Sequence, residues 1–273
     1  MHSFKNKSAL ITGAGRGIGK RLAIGLAQQG AKVGLVARSK AELELTQLEI
    51  EHAGGAALRL RADVRTYAQV KAAVDRMRAQ LGEIDIVICA AGIQGPIGPL
   101  WEVSPKAWTG AIETNLVGVM NTCRAALPHM VERRHGKILI LGGGGTMRAR
   151  SNFSAYAASK AALVRLTETI AEEVRDFNIQ VNCMGPGPTY THMTDVVLKA
   201  GEKAGWKDSE QAMSTRMTGG TAPEKQIELA LFLASEEANH ISGKLIHIRD
   251  DWKRLAKADL HPELYTLRRV RKI

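Results

Sequence analysis

Thr12-Gly13-Ala14-Gly15-Arg16-Gly17-Ile18-Gly19 is the stretch on which the reading of the chain turns. An apolar run, 8–11, leads into it and an amphipathic segment, 18–29, leads out, so the order is strand, glycine-rich turn, helix. In that context a weak glycine motif becomes a dinucleotide-binding signature. Gly13, Gly17 and Gly19 are spaced Gly-x-x-x-Gly-x-Gly, not Gly-x-Gly-x-x-Gly, with Ile18 between the last two. Glycines there let the backbone turn tightly and let a pyrophosphate reach the helix start, where free N–H groups and the dipole favour anions.

The same alternation continues outward. Apolar runs at 8–11, 32–36, 57–60, 84–89, 137–141, 179–183 and 244–248 alternate with helical patterns at 18–29, 40–53, 67–81, 105–133, 154–177 and 223–234. Continuous Val/Ile/Leu runs suit strands covered on both faces. The expected fold is therefore α/β, a Rossmann-type doubly wound parallel sheet of about seven strands with helices on both faces. No linker divides the 273 residues, so a single domain is expected over 1–273. Residues 189–221 show no clear strand and read as a substrate loop beyond a strand's C-terminal end, where open α/β sheets bind ligands. Residues 252–273 read as a C-terminal extension.

The end of the second strand selects the dinucleotide. A carboxylate there would bind the adenosine ribose and repel a 2′-phosphate. The sequence has Val36-Ala37-Arg38-Ser39 instead. Arg38 and, from the glycine loop, Arg16 can pair with a 2′-phosphate through charge-assisted bonds, which favours NADP(H) over NAD(H).

Tyr156 and Lys160, in Ser154-Ala155-Tyr156-Ala157-Ala158-Ser159-Lys160, are four apart and so share one face of a helix. A phenol ordinarily titrates near 10, too high for efficient proton exchange at neutral pH. A neighbouring ammonium is expected to lower it and make Tyr156 a general acid for carbonyl reduction and a base in reverse.

With these motifs in order, the chain resembles the short-chain dehydrogenase/reductase family, in pattern close to the 3-oxoacyl-carrier-protein reductases. The resemblance covers about residues 5–248 and implies further roles. Asp63 and Val64 would hold the adenine. Ala91 and Gly92, in Cys89-Ala90-Ala91-Gly92, stand at the end of the fourth strand in place of the family's Asn-Asn-Ala-Gly. Asn115 would support a proton-relay water beside the lysine. Lys160 would also hold the nicotinamide ribose, and Pro186, Gly187, Thr189 and Thr191 would contact the nicotinamide. The family also implies pairing of the helices at 105–133 and 154–177 in a homodimer or homotetramer.

Two departures stand out. The family's serine, thirteen residues before the tyrosine, falls here on Gly143 within Leu141-Gly142-Gly143-Gly144-Gly145-Thr146. Losing one such donor costs roughly 10²–10³ in rate. Thr146, Ser151, Asn152, Ser154 or a backbone N–H of the glycine run is expected to replace it, unless the substrate brings its own hydroxyl or acid group. The alternative is an NADP(H)-binding sensor or assembly protein with little or no turnover. The second departure is Arg249-Asp250-Asp251-Trp252 where the family has Asp-Gly-Gly. Leu255, Leu260, Leu264, Tyr265 and Leu267 beyond it are expected to dock on a subunit or other neighbour.

Composition narrows the remaining classes. A net charge of +11 favours anionic partners. Yet the basic end, Arg268-Arg269-Val270-Arg271-Lys272, lacks the aromatic interleaving of a nucleic-acid contact and reads as a solvated tail. No stretch approaches the roughly 20 apolar residues of a membrane helix. Without a signal-peptide core and with three scattered cysteines, a cytoplasmic protein is expected. The histidines show no metal-ligand spacing, so no metal site is expected. Trp101 and Trp108 are expected to pack, and Met193, Met213 and Met217 to form an adaptable apolar lid. The partner left is a small-molecule carbonyl or alcohol substrate.

Overall fold

The computed structural model describes residues 3–256, 260, 261 and 263–268. The chain runs β1 (Ser8–Thr12), α1 (Gly17–Gln28), β2 (Lys32–Ala37), α2 (Lys40–His52), β3 (Ala56–Arg61), α3 (Tyr67–Leu81) and β4 (Ile86–Cys89). It continues with α4 (Pro105–Ile112), α5 (Gly118–Arg133), β5 (Gly136–Leu141), α6 (Ser154–Glu173), β6 (Ile179–Gly185), α7 (His192–Ala200), α8 (Trp206–Thr218), α9 (Pro223–Ala234), β7 (Leu245–His247) and α10 (Trp252–Leu255). The seven strands form one parallel sheet in the order β3-β2-β1-β4-β5-β6-β7, the doubly wound arrangement expected from the alternation.

The apolar runs explain the layering. All five residues of β1 are buried. Ile11 faces a cluster with Leu22 and Leu26 of α1, Leu43 of α2 and Leu229 and Phe232 of α9. Its neighbour Leu10 faces the opposite cluster, with Met77 of α3, Cys123 of α5 and Leu163 of α6. Each fully buried Leu or Phe contributes about 1.5–3 kcal/mol relative to exposure, so both faces of the sheet hold the fold together.

Register places the site. Thr12 pairs with Val36 of β2 and with Cys89 of β4, so β1, β2 and β4 end level. The chain turns away to opposite sides of the sheet after β1 and β4, and this switch point opens a crevice at their C-terminal ends.

Three sequence expectations change here. The helix expected over 105–133 is interrupted by a π-helical turn, Glu113–Val117, and such turns frequently mark functional sites. The segment 189–221 is largely helical, because Thr191 starts α7 with a reciprocal capping box shared with Thr194. The extension docks on its own chain. Trp252 lies 5.3 Å from the Phe232 ring, Leu255 is buried, and Leu260 and Tyr265 pack against the first core cluster. Tyr265 C=O accepts from the Leu245 N–H at 2.7 Å and Glu168 accepts from the Leu267 N–H at 2.6 Å, while Leu264 remains exposed. The basic run beyond Arg268 lies outside the described residues. No helix among the described residues is long and apolar enough to cross a membrane.

Candidate active site

The glycine loop is shaped by contacts that side chains would block. Gly13 has φ +69°, and a Cβ there would come within 2.8 Å of the Ala91 backbone. A Cβ on Gly19 would strike the Gly13 carbonyl. The Thr12 hydroxyl accepts from the N–H groups of Ala90 and Ala91 at 3.2 and 3.3 Å, binding the two sides of the crevice together. Thr46 of α2 donates to the Ala14 carbonyl at 3.1 Å, a brace with no signal in the motif. The first turn of α1 holds no acid and its cap residue, Arg16, makes no side-chain cap bond. A cradle clear of side chains at an uncapped helix start fits a dinucleotide phosphate.

Arg38 is exposed at the end of β2, and its carbonyl accepts from Arg61 Nε at 3.1 Å. Arg61, at the end of β3, was not singled out in the sequence; the parallel register of β2 and β3, which pairs Ala37 with Arg61, brings it here. Arg16 leans instead on Glu42 of α2 at 3.3 Å, a half-exposed pair that an incoming phosphate must outcompete. The Asp63 carboxylate is taken by Arg65 at 2.6 Å, and that guanidinium is the main reason its pKa is lowered. The Val64 carbonyl accepts from Asn121 at 2.8 Å.

Asn115, fully buried, lies in the π-helical turn. Its amide accepts from the Ile93 N–H at 2.8 Å and donates to the Ile93 carbonyl at 2.9 Å and to Ser159 at 3.1 Å. It therefore ties the segment after β4 to α6. A Cβ on Gly92 would lie 3.3 Å from Asn115 Oδ1 and 3.8 Å from Lys160 Nζ, so these three residues converge. Lys160 Nζ donates to the Leu141 carbonyl at 2.7 Å. Burial pushes its pKa down to about 8, with Cys183 and Cys89 pulling the other way.

Tyr156 and Lys160 share a face of α6 as expected, with Lys160 Nζ 5.7 Å from the phenol ring centroid. The expected tuning differs. Burial raises the Tyr156 pKa, and the charge opposing that rise belongs to Arg150, whose guanidinium carbon is 5.6 Å from the ring. Arg150 was missed because it belongs to no motif; it comes close only because residues 142–153 fold back over Tyr156.

Position 143 has a direct geometric consequence: a Cβ on Gly143 would collide with the Tyr156 hydroxyl. The phenol occupies the space a side chain there would take. Of the replacement donors expected, Thr146 donates back to the Gly143 carbonyl and accepts from the Gly143 N–H. Ser154 accepts from Trp108 Nε1 at 3.1 Å. Ser151 is exposed and Asn152 half-buried, and both line the cleft. Trp101, expected to pack, is 85% exposed.

The cleft measures about 1000 Å³ and runs from Ile18 and Gly92 past Tyr156 and Lys160 to Pro186, Gly187, Thr189, Thr191 and α8. Gly187 has φ +74°, and buried Gln226 donates to the Pro186 carbonyl and Thr189 hydroxyl at 2.9 and 2.6 Å. Thr191 approaches Gly17, where a Cβ would sit 3.3 Å from its methyl group. Val197 of α7 and Ala212 of α8 close an apolar seam over Phe153 and Tyr156, with Met193 against it; Met213 and Met217 are exposed. No cluster of three or more His, Cys, Asp or Glu side chains among the described residues is placed to hold a metal ion.

Fold and cleft together define a Rossmann-type oxidoreductase. The short chain dehydrogenase family profile matches residues 7–201. The 2,3-dihydro-2,3-dihydroxybenzoate dehydrogenase of Bacillus subtilis (strain 168) is 33% identical over 243 residues, covering 87% of this chain and 92% of the relative. The 3-oxoacyl-[acyl-carrier-protein] reductase FabG of Escherichia coli (strain K12) is 33% identical over 246 residues, covering 90% and 97%. A crystal structure of a gluconate 5-dehydrogenase from Burkholderia cenocepacia J2315, in complex with NADP and tartrate, superposes with a TM-score of 0.80 at 31% identity, covering 90% of this chain and 94% of the other. The chain belongs to the short-chain dehydrogenase/reductase family, whose members use nicotinamide coenzymes and act on small molecules.

Proposed function

We propose that the protein interconverts a ketone and a secondary alcohol with NADP(H), using Tyr156 as general acid in reduction and base in oxidation. The observation that carries this reading is that Tyr156 and Lys160 line one cleft with Ile18 of the glycine loop, while buried Asn115 stands behind Gly92 beside Lys160. A bound nicotinamide supplies or accepts the hydride. Gly13, Gly17, Ile18 and Gly19 would hold the pyrophosphate and Arg16, once released from Glu42, the 2′-phosphate with Arg38; Asp63 and Val64 would border the adenine, and Ala91, Gly92, Pro186, Gly187, Thr189 and Thr191 the nicotinamide end. NADP(H) is favoured over NAD(H) because β2 leads into Arg38 with no carboxylate, and Arg61 adds a second guanidinium there, bonded to the Arg38 backbone carbonyl.

Burial keeps the Tyr156 phenol protonated at neutral pH, the form a proton donor needs. Arg150 supplies the charge that opposes the rise in its pKa, and Lys160, which donates to the Leu141 carbonyl, would hold the nicotinamide ribose. Asn115 fixes the backbone beside both and supports the relay. Segment 189–221 covers the substrate. The family resemblance carries the further reading that the helices over 105–133 and 154–177 pair in a homodimer or homotetramer, and Met120 of α5, 39% exposed, is an apolar side chain available to such a contact. Three buried free cysteines suit the cytoplasm.

Tyr156→Phe is the test. It is expected to lower NADPH-dependent carbonyl reduction by about 10²-fold or more while leaving coenzyme affinity unchanged. Equal turnover in the variant refutes the assignment. No turnover in the unmutated protein across a broad carbonyl panel, with coenzyme still bound, favours a sensor.

A further inference from the structure

The far wall of the cleft holds more hydrogen-bond donors than the protein supplies acceptors. Arg150 lies flat over Phe153, its guanidinium carbon 3.6 Å from the ring, and its side chain is 18% exposed. Its Nε donates to Asp208 Oδ1 of α8 at 2.8 Å, and Asp208 is the side chain's only hydrogen-bond or ion-pair partner among the described residues. The other edge of the guanidinium faces the glycine run, with Nη1 3.7 Å from where a Gly144 Cβ would stand. Gln94, also in the cleft wall, has a buried Nε2 with no hydrogen-bond partner among the described residues. A buried donor without an acceptor is a standing penalty that a ligand oxygen removes.

Charge points the same way. Among the described residues lining the cleft, Asp208 is the only acid, against Arg148, Arg150, Lys160, Lys207 and Arg249. Asp208 is already committed to Arg150, so an entering ligand meets a positive field. The free edge of one guanidinium presents two parallel N–H groups that match two coplanar oxygens. A phosphate would ask for further cations at the same depth, and Arg148, Lys207 and Arg249 stand exposed at the rim. With only glycine at 143 and 144, nothing from that wall separates Tyr156 from Arg150.

We propose that the substrate is a carbonyl compound bearing a carboxylate, which Arg150 anchors at its free edge with Gln94 as a second donor. This rests on the carbonyl-reductase reading above. Asp208 fixes the guanidinium plane from α8, so the anchor and the helix over the cleft move together. A substrate held by its own anion is oriented without a hydroxyl at position 143.

Acetoacetate and acetoacetamide, alike in size and different in charge, titrated calorimetrically into protein saturated with NADP+ test this without turnover. Acetoacetate is expected to bind about tenfold tighter or more, since charged hydrogen bonds are the strong ones. Arg150→Met is expected to abolish that preference and leave NADP+ affinity intact. Gln94→Leu removes an unpaired polar atom and should fold normally; it is expected to weaken acetoacetate several-fold. Equal binding of acid and amide, no saturable acetoacetate binding, or a preference surviving Arg150→Met overturns the proposal. Failure of the unmutated protein to take up NADP+ refutes the coenzyme reading first, and is distinct from uptake without discrimination.

Discussion

Tyr156 owes its position to its neighbours. Phe153 and the α7–α8 seam bury the ring, Lys160 lies one helical turn on, and glycine at 143 leaves room for the hydroxyl. Gly143→Ser, the change that restores the family residue, therefore has to displace the phenol. It is expected to lower kcat by about a hundredfold, since a 1 Å misplacement of a reacting group can cost that much. A rise in kcat would show that the phenol moves freely. At the other end of the crevice, Arg38→Asp puts a carboxylate where a 2′-phosphate is expected and should shift the NADPH/NADH preference toward NADH by about tenfold or more. Unchanged preference would remove Arg38 from the coenzyme site. The glycine loop, Arg38 at its strand end and the Tyr156–Lys160 pair are legible from their spacing and place, and the other candidate residues only from the family resemblance. Arg61, Arg150 and Gln94 are not, because sheet register and loop folding bring them in from positions that carry no pattern.

The elements were read correctly where one period dominated. Helix α3 spans 67–81, as the apolar repeat indicates, and each expected strand is present within two residues at either end. The two departures from the expected elements have different causes, one a hydrogen bond from elsewhere in the chain and the other a local cap. Helical periodicity ran through 105–133, but Asn115 bonding to Ile93 accompanies the π-helical turn. Residues 189–221 looked irregular because their helices are short and partly exposed, and the capping box at Thr191 was overlooked. The start of α1 tests the element-level account. Gly19→Ala forces a methyl group against the Gly13 carbonyl, an overlap that costs about 1–3 kcal/mol. Calorimetric melting should show a lower Tm together with loss of coenzyme uptake. A variant melting and binding as the parent does would mean that the turn is not held by close approach.

Across the whole molecule, buried ionisable groups make stability depend on pH. Lys137, hydrogen-bonded to Asn239 at 2.6 Å, and Lys160 are both pushed down by burial to about 8 from an ordinary 10.5. Unfolding between those values takes up protons, so stability rises with pH above 8 and is lost as pH falls back toward 8. Cys183, pushed up by burial to about 12 from 9.0, acts oppositely above pH 9, where the unfolded thiol ionises and the folded one does not. Tm should therefore rise from pH 8 to 9, and Lys137→Met should reduce that rise, with Lys160 and Lys244, both lowered by burial, as the remaining contributors. A flat profile in the parent would contradict the burial of these amines. The central claim, that the crevice above the glycine loop takes a 2′-phosphorylated nicotinamide coenzyme, is tested most directly by titrating NADPH and NADH into the protein and following nicotinamide fluorescence. Saturable enhancement with NADPH bound about tenfold tighter or more is the expected result. Equal affinity or an NADH preference contradicts the 2′-phosphate assignment, and no enhancement with either contradicts the account as a whole.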